Sequence, residues 1–272
     1  MSVEIHPSAI VSPKAHLADG VRVGPYCQIA DFVEVQAGTV LKAFVCLKDY
    51  VRIGEGCTLY ENVTLGGEPQ DFGFKGEESW VRIGNGVTLR ENVTVHRATG
   101  EGKETVIGDG CYLMEGSHVG HNVVVGKGVV LANKVGLAGH VHIEEKTVVG
   151  GMAGVHQFVR IGPFCMIGGL SKIVKDVPPY TMADGRPARL FGLNRVGLRR
   201  NGFDAAARQS IKSFYHSIYH SGLPLREALA VLESRDPEEQ NPVLRAILEF
   251  AKHSHRGLTP WPKAMREADS PD

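Results

Sequence analysis

Large aliphatic residues recur every six positions through the first two thirds of the chain. Steps of six from Ile5 to Ile173 visit 29 positions, and 26 of these are Ile, Val or Leu. The residue four places after each aliphatic is usually Val, Cys, Ala, Ser or Thr. This period fits neither a helix, which repeats about every 3.6 residues, nor a plain strand, which repeats about every two. It predicts short strands that each direct one large side chain inward before the chain turns.

Glycines and two interruptions punctuate this pattern. Ten of the 26 aliphatic residues are followed directly by Gly, and we expect these glycines at corners where the backbone turns tightly or needs a positive φ. The three exceptions in the phase (Asp71, Glu77 and Glu101) lie in two segments, about 66–80 and 96–104, that break the repeat. Because the period resumes in phase after each, both segments are predicted to be loops outside the repeat. Loops on a rigid scaffold often carry function.

A different pattern follows the repeat, which ends near Lys175. Asp204 is a typical helix N-cap, and apolar residues at helical spacing follow from Ile211 to Tyr219. Two further amphipathic helices are predicted around 225–232 and 242–251. A basic link, expected to be irregular, joins repeat and helices and contains Arg186, Arg189, Arg195, Arg199 and Arg200. These patterns predict two domains, a β domain at residues 1–185 and a C-terminal α-helical domain at residues 186–272.

The six-residue pattern resembles the hexapeptide-repeat family. That resemblance implies a mainly β protein, a left-handed parallel β-helix of hexapeptide repeats with three short strands in each coil. The left hand comes from the resemblance, because crossovers between parallel strands are otherwise almost always right-handed. With three hexapeptides per coil, residues 18 positions apart should stack in one column.

This stacking brings several histidines together. His121, Gly139 and Gln157 are 18 residues apart in succession, and Asn122 and His140 occupy the neighbouring column. Together with His118 and His156, these residues are expected to form one small patch. Five of the twelve histidines, at positions 118, 121, 140, 142 and 156, fall within 39 residues. The concentration predicts a functional patch.

A histidine patch of this kind has two chemical interpretations. An imidazole could act as a general base for acyl transfer, a contribution of about 10²–10⁴ in rate. The backbone N–H of Gly139, one coil above His121, would then stabilise the oxyanion, by roughly 2.7–4 kcal/mol. Alternatively, histidines from two subunits could bind zinc, as in the carbonic anhydrases of this fold. A repeat scaffold without catalytic activity is the remaining class.

Composition narrows the expected partners and compartment. The formal net charge is zero, which gives no reason to expect a nucleic acid or membrane-surface partner. No apolar run approaches the roughly 18–20 residues of a transmembrane helix, and the first residues lack the features of a signal peptide. We therefore expect a cytoplasmic protein. Of five cysteines, Cys27, Cys57, Cys111 and Cys165 share the small-residue phase of the repeat, so we expect structural thiols and no disulfides.

Longer motifs surround these histidines. They are LMEGSHVGH at 113–121, LAGH at 137–140, VHQF at 155–158, VHR at 95–97, QD at 70–71, GGM at 150–152, DVPPY at 176–180, FGLN at 191–194, LRR at 198–200 and GF at 202–203. With these motifs the chain resembles, over essentially its whole length, the acyl carrier protein–UDP-N-acetylglucosamine O-acyltransferase family. Members of that family transfer a 3-hydroxyacyl chain to the 3-position of the sugar, the first step of lipid A biosynthesis.

The resemblance implies a role for individual residues. His121 matches the catalytic general base, and the Gly139 N–H matches the oxyanion donor. Positions that hold the sugar are matched by Asp71, beside Gln70, and by His118, His140 and Gln157. Asn122 and His156 belong to the same predicted patch. Asn194 and Arg200 match positions near the nucleotide and diphosphate, and Gly169 matches the acyl-chain ruler, where a glycine implies a longer chain.

The resemblance also implies partners. It predicts a homotrimer with active sites between adjacent subunits, a UDP-sugar substrate, and an acyl donor carried on the phosphopantetheine arm of acyl carrier protein. No cofactor and no metal are expected. The arginines between residues 186 and 200 would form a landing patch for the acidic carrier protein.

Three departures from the family's pattern leave the acceptor open. Asn122 stands where many members have Asp, Gly73 where a Lys is frequent, and Asn201 where a second Arg is frequent. An amide beside His121 cannot raise the basicity of the imidazole as a carboxylate would. The acceptor could therefore be the 3-amino analogue of UDP-N-acetylglucosamine. A sister enzyme that N-acylates a UDP-sugar is a further alternative, but it normally carries an additional N-terminal uridine-binding domain, whereas this repeat begins at Ile5.

Overall fold

Short parallel strands make up most of the molecule. The computed structural model describes residues 2–234 and 242–261, so part of the predicted helical domain lies outside the described residues. The strands before the first interruption are β1 (Glu4–Ile5), β2 (Ile10–Val11), β3 (His16–Leu17), β4 (Arg22–Val23), β5 (Gln28–Ile29), β6 (Val33–Val35), β7 (Val40–Leu41), β8 (Cys46–Leu47), β9 (Val51–Ile53), β10 (Thr58–Leu59) and β11 (Thr64–Gly67). Those between the interruptions are β12 (Trp80–Ile83), β13 (Thr88–Leu89) and β14 (Thr94–His96).

The repeat then continues without a break to its end. Its remaining strands are β15 (Glu104–Ile107), β16 (Tyr112–Leu113), β17 (His118–Val119), β18 (Val124–Val125), β19 (Val130–Leu131), β20 (Gly136–Leu137), β21 (His142–Ile143), β22 (Val148–Val149), β23 (Gly154–Val155), β24 (Arg160–Ile161), β25 (Met166–Ile167) and β26 (Lys172–Ile173). An antiparallel hairpin of β27 (Thr181–Gly185) and β28 (Ala188–Leu193) extends the first of the three sheets.

Every third strand joins the same sheet, so the chain winds into a three-sided prism. Sheet A begins with β1, β4 and β7, sheet B with β2, β5 and β8, and sheet C with β3, β6 and β9. Paired residues such as His118 and Gly136 are 18 positions apart. The fold is the predicted left-handed parallel β-helix, followed by α-helices. We call the prism edge where the chain passes from A to B the AB edge, and that from B to C the BC edge.

The inside of the prism is a stack of aliphatic side chains. Leu113, Val119 and Val125, one from each sheet, are almost completely buried. The small residues four positions later fill the corners, and the four cysteines predicted to be structural are buried free thiols. Burial raises the pKa of Cys111 to about 11, which keeps the thiol protonated. Successive coils are joined by backbone hydrogen bonds, such as that from the Gly108 N–H to the Val125 carbonyl at 2.7 Å.

Most glycines that follow the aliphatic residues serve a different purpose from the one expected, although Gly66, with a φ of 81°, does have the expected positive φ. Gly108, which is typical of them, does not have a positive φ. A Cβ on Gly108 would lie 2.9 Å from backbone atoms of Gly126 and Lys127 in the next coil. Close stacking of coils therefore requires glycine there. Positive φ occurs two residues later, as at Gly110, where φ is 63° and a Cβ would meet open space.

Both interruptions are loops outside the repeat, as predicted, and both leave the prism at the BC edge. We define loop 1 as residues 68–79, between β11 and β12, and loop 2 as residues 97–103, between β14 and β15. The register is kept across both: Leu65 pairs with Val95, and Val95 pairs with Val119. The two loops thus leave sheet B from neighbouring strands, one coil apart.

The helical part begins after the hairpin. Its helices are α1 (Arg195–Arg200), α2 (Ala205–Tyr219), α3 (Leu225–Glu233) and α4 (Pro242–Lys252). Asp204 caps α2 by accepting a hydrogen bond from the Ala207 N–H at 2.7 Å, and the three long helices agree with the sequence prediction. The basic link expected to be irregular is instead β28 and α1, because Ala188 and Leu190 are buried against the prism. The predicted boundary at residue 185 falls in the turn of the hairpin and stays a prediction.

A buried carboxylate joins the helical part to the prism. Asp176 is fully buried and accepts hydrogen bonds from the Arg160 N–H at 2.8 Å and the Ser254 hydroxyl at 2.6 Å. Tyr215 in α2 donates to the Pro179 carbonyl at 2.7 Å. No helix in the described part of the chain combines the length and apolar character needed to cross a bilayer.

The two kinds of glycine predict different costs for one substitution. Gly108→Ala should lower the free energy of unfolding by about 2–3 kcal/mol, because its Cβ is forced against the backbone of the next coil. Gly110→Ala should cost only about 1 kcal/mol, the price of a left-handed alanine with no steric conflict. Chemical denaturation of both variants checks this. Equal losses would contradict the close-approach argument.

Candidate active site

A groove of about 570 Å³ runs along the outer face of sheet B, next to the BC edge. Its lining includes His96, His118 and His121 at one end and Lys172 at the other. Gly136 and Gly154 form its floor, and a Cβ on either would meet open space. The outward-facing positions of β20 and β23 therefore leave room that larger residues would fill.

His121 lies where the chain leaves β17 at the BC edge. Its side chain is 12% exposed. Its Nδ1 lies 2.8 Å from Oδ1 of Asn122, and its carbonyl accepts a hydrogen bond from the His140 N–H in the next coil. Asn122 adopts a positive φ of 58°, a conformation that Asn tolerates better than most residues. The positive φ of Asn122 thus places its side-chain amide next to the His121 imidazole.

Loop 2 determines which way the Asn122 amide points. Its Nδ2 donates to the Thr99 carbonyl at 3.0 Å, and its Oδ1 accepts from the Thr99 N–H at 2.9 Å. Because Oδ1 is an acceptor, the Nδ1 of His121 that faces it must carry the proton. The neutral ring then has its lone pair on Nε2, which could accept a proton as a general base does.

A carboxylate from loop 1 faces that lone pair. Oδ2 of Asp71 lies 3.9 Å from Nε2 of His121, while Oδ1 accepts a hydrogen bond from the Gly73 N–H at 2.8 Å. The separation is too long for a direct hydrogen bond. The carboxylate therefore lies opposite the nitrogen on which a general base would take up a proton.

Gly139 lies directly beside the same nitrogen. A Cβ on Gly139 would collide with Nε2 and Cε1 of His121, so only glycine allows this approach. The Gly139 carbonyl accepts a hydrogen bond from the Phe158 N–H. Within residues 2–234 and 242–261, the Gly139 N–H has no acceptor from the chain itself. It is therefore free to donate a hydrogen bond to a ligand beside His121.

Three further histidines surround His121. His140 packs edge-on against His121, with ring centroids 5.1 Å apart, and stacks on Phe158. His118 contacts the Thr94 hydroxyl through Nδ1 at 2.7 Å, and His96 packs edge-on against His118. Burial lowers the pKa of His118 and of His140. These rings are consequently neutral near pH 7 and can either donate or accept hydrogen bonds.

The predicted patch is present as one constellation. Gln70, His118, His121, Gly139, His156 and Gln157 all line the groove, with Asp71, Asn122 and His140 in contact with His121. His142, which the sequence groups with these histidines, lies in β21 on sheet C and does not line it. The 18-residue spacing predicted this grouping for the residues of the repeat, whereas Gln70 and Asp71 were expected here only from the family resemblance.

Three of the predicted site residues lie away from the groove in the folded chain. Gly169, which follows β25, is at the AB edge. A Cβ on Gly169 would lie 3.3 Å from the Gly151 carbonyl oxygen. The Asn194 side chain caps α1 by accepting from the Gly197 N–H, and donates to the Phe164 carbonyl. Arg200 is exposed at the end of α1. A single chain does not bring these residues to His121. Lys75, two residues after Gly73, is exposed and does not line the groove.

Two residues of the site were not selected from the sequence. His96 was noted only within a motif, although it ends β14, the strand next to β17 in sheet B. Thr99 pairs with Asn122 through its backbone, for which the sequence carries no signal, and its hydroxyl lies 3.5 Å from Nδ1 of His121. Among the described residues, no three His, Cys, Asp or Glu side chains converge in a way that could hold a metal ion.

Family models match two parts of the chain. Residues 176–259 match the model described as UDP N-acetylglucosamine O-acyltransferase, domain 2. Residues 104–139 match the model described as bacterial transferase hexapeptide (six repeats). Both segments agree with the architecture, since the first begins at the end of the prism and the second lies within it.

Individual relatives are similar over larger spans. The chain is 41% identical over 160 residues to the acyl-[acyl-carrier-protein]–UDP-N-acetylglucosamine O-acyltransferase of Gloeothece citriformis, covering 59% of this chain and 57% of that protein. It is 39% identical to the solved structure of LpxA from Acinetobacter baumannii, covering 94% and 99% of the two chains with a TM-score of 0.89. For the Francisella novicida UDP-N-acetylglucosamine acyltransferase these values are 33%, 95%, 95% and 0.90. The alignments to the curated relatives span 50–60% of those relatives' lengths.

Burial of His96 predicts that its ring takes up a proton only at low pH. Burial lowers the pKa of His96 from 6.5 to about 4, so an NMR titration should find this ring neutral down to about pH 4. The unfolded chain takes up this proton near pH 6.5, so burial of neutral His96 stabilises the fold above that pH. The contribution is lost as the pH falls from 6.5 towards 4. A His96→Gln variant should lack this part of the pH dependence, and a His96 titration at pH 6 or above would contradict the expectation.

Proposed function

Because the chain belongs to the UDP-N-acetylglucosamine O-acyltransferase family, we propose that it transfers a 3-hydroxyacyl chain from acyl carrier protein to UDP-N-acetylglucosamine. The acyl group enters at the 3-position of the sugar, which is the first step of lipid A biosynthesis. The donor is a thioester on the phosphopantetheine arm of the carrier protein, so the enzyme itself needs no cofactor.

The proposed chemistry uses Nε2 of the His121 imidazole. Nε2 takes the proton of the sugar hydroxyl as its oxygen attacks the thioester carbonyl. The resulting oxyanion accepts a hydrogen bond from the Gly139 N–H, and Asp71 stabilises the imidazolium. When the tetrahedral intermediate collapses, the carbon–sulfur bond breaks and the imidazolium returns its proton to the thiolate. The products are the O-acyl sugar nucleotide and the free thiol of the carrier.

One observation supports this role more than any other. Asn122 accepts from the protonated Nδ1 of His121, which leaves the unprotonated Nε2 beside the Gly139 backbone and opposite Asp71. The proposed base, oxyanion donor and carboxylate then all face the same small space beside Nε2 of His121. His118, His140, His156 and Gln157 have the positions and polar atoms to bind sugar hydroxyls around it.

The remaining predicted residues favour an oligomer. Gly169 is at the opposite edge of sheet B from His121, and Asn194 and Arg200 belong to the helical part. In a homotrimer with sites between subunits, a neighbouring copy would supply the acyl ruler and the nucleotide contacts. Arg186, Arg189, Arg195 and Arg199 are exposed and would bind the acidic carrier protein. A cytoplasmic location fits these proposed substrates.

Replacement of the base provides the direct test. His121→Ala should lower kcat for acyl transfer by about 10²–10⁴, with the fold unchanged, in an assay with acyl carrier protein thioester and UDP-N-acetylglucosamine. His16→Ala removes an exposed histidine of β3 on sheet C and serves as the matched control. The proposal fails if wild type shows no transfer, or if His121→Ala retains wild-type kcat.

A second acceptor is favoured by Asn122. A neutral amide beside His121 gives the imidazole less basicity than a carboxylate would. An amine at the 3-position of the sugar is a better nucleophile than a hydroxyl and requires less proton abstraction. The 3-amino analogue of UDP-N-acetylglucosamine is therefore the alternative acceptor, acylated on nitrogen by the same residues.

The two acceptors can be compared in one experiment. If the amine is the natural nucleophile, wild-type kcat/KM should be higher for the 3-amino analogue than for UDP-N-acetylglucosamine at the same pH and donor concentration. Each product should be identified by mass spectrometry after mild base, which cleaves esters and leaves amides. A higher kcat/KM for the 3-hydroxyl acceptor would remove the alternative.

A further inference from the structure

Loop 1 and loop 2 supply one contact each to the catalytic histidine. Loop 1 carries Asp71, which faces Nε2 of His121. Loop 2 carries Thr99, whose backbone holds the Asn122 amide that faces Nδ1. The base is thus oriented from two sides by segments outside the prism. The orientation of the imidazole therefore depends on how the two loops are placed relative to each other.

Glu77 in loop 1 connects them. Its Oε1 accepts a hydrogen bond from the Gly100 N–H of loop 2 at 2.7 Å. Its Oε2 accepts one from the Lys75 N–H of loop 1, also at 2.7 Å. The hydrogen bond from Gly100, with those from the backbone of Glu77 and Lys75, lowers the pKa of the carboxyl, so Glu77 is ionised at neutral pH. Hydrogen bonds to a charged acceptor are roughly twice as strong as neutral ones.

From this carboxylate, two short paths lead to the imidazole. Gly100 follows Thr99 directly, so the bond to Glu77 holds the peptide that pairs with Asn122. On the other side, Lys75 follows a tight turn in which the Phe74 N–H donates to the Asp71 carbonyl at 3.1 Å. The Gly73 N–H donates to Oδ1 of Asp71, which leaves Oδ2 directed at His121. Each path spans only a few residues.

We propose that Glu77 is a positioning residue for His121, an inference that rests on the proposed acyl transfer. Its carboxylate joins the two loops so that Asp71 and the Thr99–Asn122 pair are held on opposite sides of the same imidazole. Glu77 does not line the groove. It acts through the loops, and its loss loosens both contacts together.

A separate contact keeps the loops attached when Glu77 is changed. Arg97 at the start of loop 2 donates its N–H to the Gly67 carbonyl at 2.9 Å. Its guanidinium, in a residue only 8% exposed, lies over the rings of Phe74 and Tyr50, at 5.2 Å from each centroid. The Arg97 charge also acts on the Glu77 carboxyl, but these backbone and ring contacts do not use that carboxyl, so its replacement should shift the loops without unfolding them.

The test compares Glu77→Ala and Glu77→Gln with Glu101→Gln in the full-length chain. Glu101 is an exposed carboxylate in loop 2 and is the matched control. Loss of register should lower kcat/KM for the acceptor sugar by about 10–100-fold in Glu77→Ala, the scale of an ångström-sized misplacement. Glu77→Gln keeps one acceptor oxygen and should lose less. The KM for the acylated carrier protein should stay within twofold, as should every parameter of Glu101→Gln.

An NMR measurement tests the same inference without any turnover. The ¹⁵N shifts of the His121 ring, assigned with His121→Gln, should show the Nδ1–H form in wild type and a mixture of tautomers in Glu77→Ala. Wild-type kinetics together with wild-type ring shifts in both folded Glu77 variants would overturn the proposal. So would a loss of activity that follows the unfolded fraction while the ring shifts stay unchanged. If wild type transfers no acyl group, the ring shifts still decide the role of Glu77, so the two proposals fail separately.

Discussion

Hydrogen bonding from each coil to the next is the constraint on which the rest of this structure depends. Every strand contributes only a few residues, so none is stable by itself, and the ladder between residues 18 apart holds the prism together. Close stacking excludes a Cβ at positions such as Gly108, and it brings Gly139 within contact distance of His121. The same stacking that builds the core therefore builds the centre of the active site. Aliphatic side chains fill the interior because each coil must place one large residue from each sheet at the same height.

The groups proposed to act in catalysis come from two kinds of structure. His121 and Gly139 belong to the prism, where the backbone is fixed from above and below. Asp71 and Thr99 belong to the two loops, which leave the prism at the edge where His121 lies. The prism provides an imidazole in a defined place, and the loops determine its tautomer and its charged neighbour. In this arrangement an amide at position 122 is well suited, because it donates to the Thr99 carbonyl as well as accepting from its N–H. A carboxylate could do only the second.

Much of this could be predicted from the sequence, because a strict six-residue period allows few structures. The phase identified the buried residues, and the 18-residue spacing assembled His118, His121, Gly139 and Gln157 before any coordinates. Prediction was poorer where backbone atoms act. The reason for glycine at position 108 was wrong, since the approach of the next coil, and not a positive φ, requires it. The strand β28 was missed because its alternating burial lies in a segment rich in arginine. Thr99 and Glu77 act on or through backbone amides, which no residue pattern reveals.

The division between prism and loops has a consequence for how the protein loses activity on heating. The contacts that hold His121 in the prism open only when the cooperative core opens, whereas loops 1 and 2 are held by a few hydrogen bonds and by the Arg97 guanidinium against two aromatic rings. Local opening of such segments requires far less free energy than global unfolding. Thermal inactivation should accordingly precede melting, and it should be reversible as long as the prism remains intact. The highest temperature at which the protein stays active would then be set by loops 1 and 2, and not by the prism that makes up most of its mass.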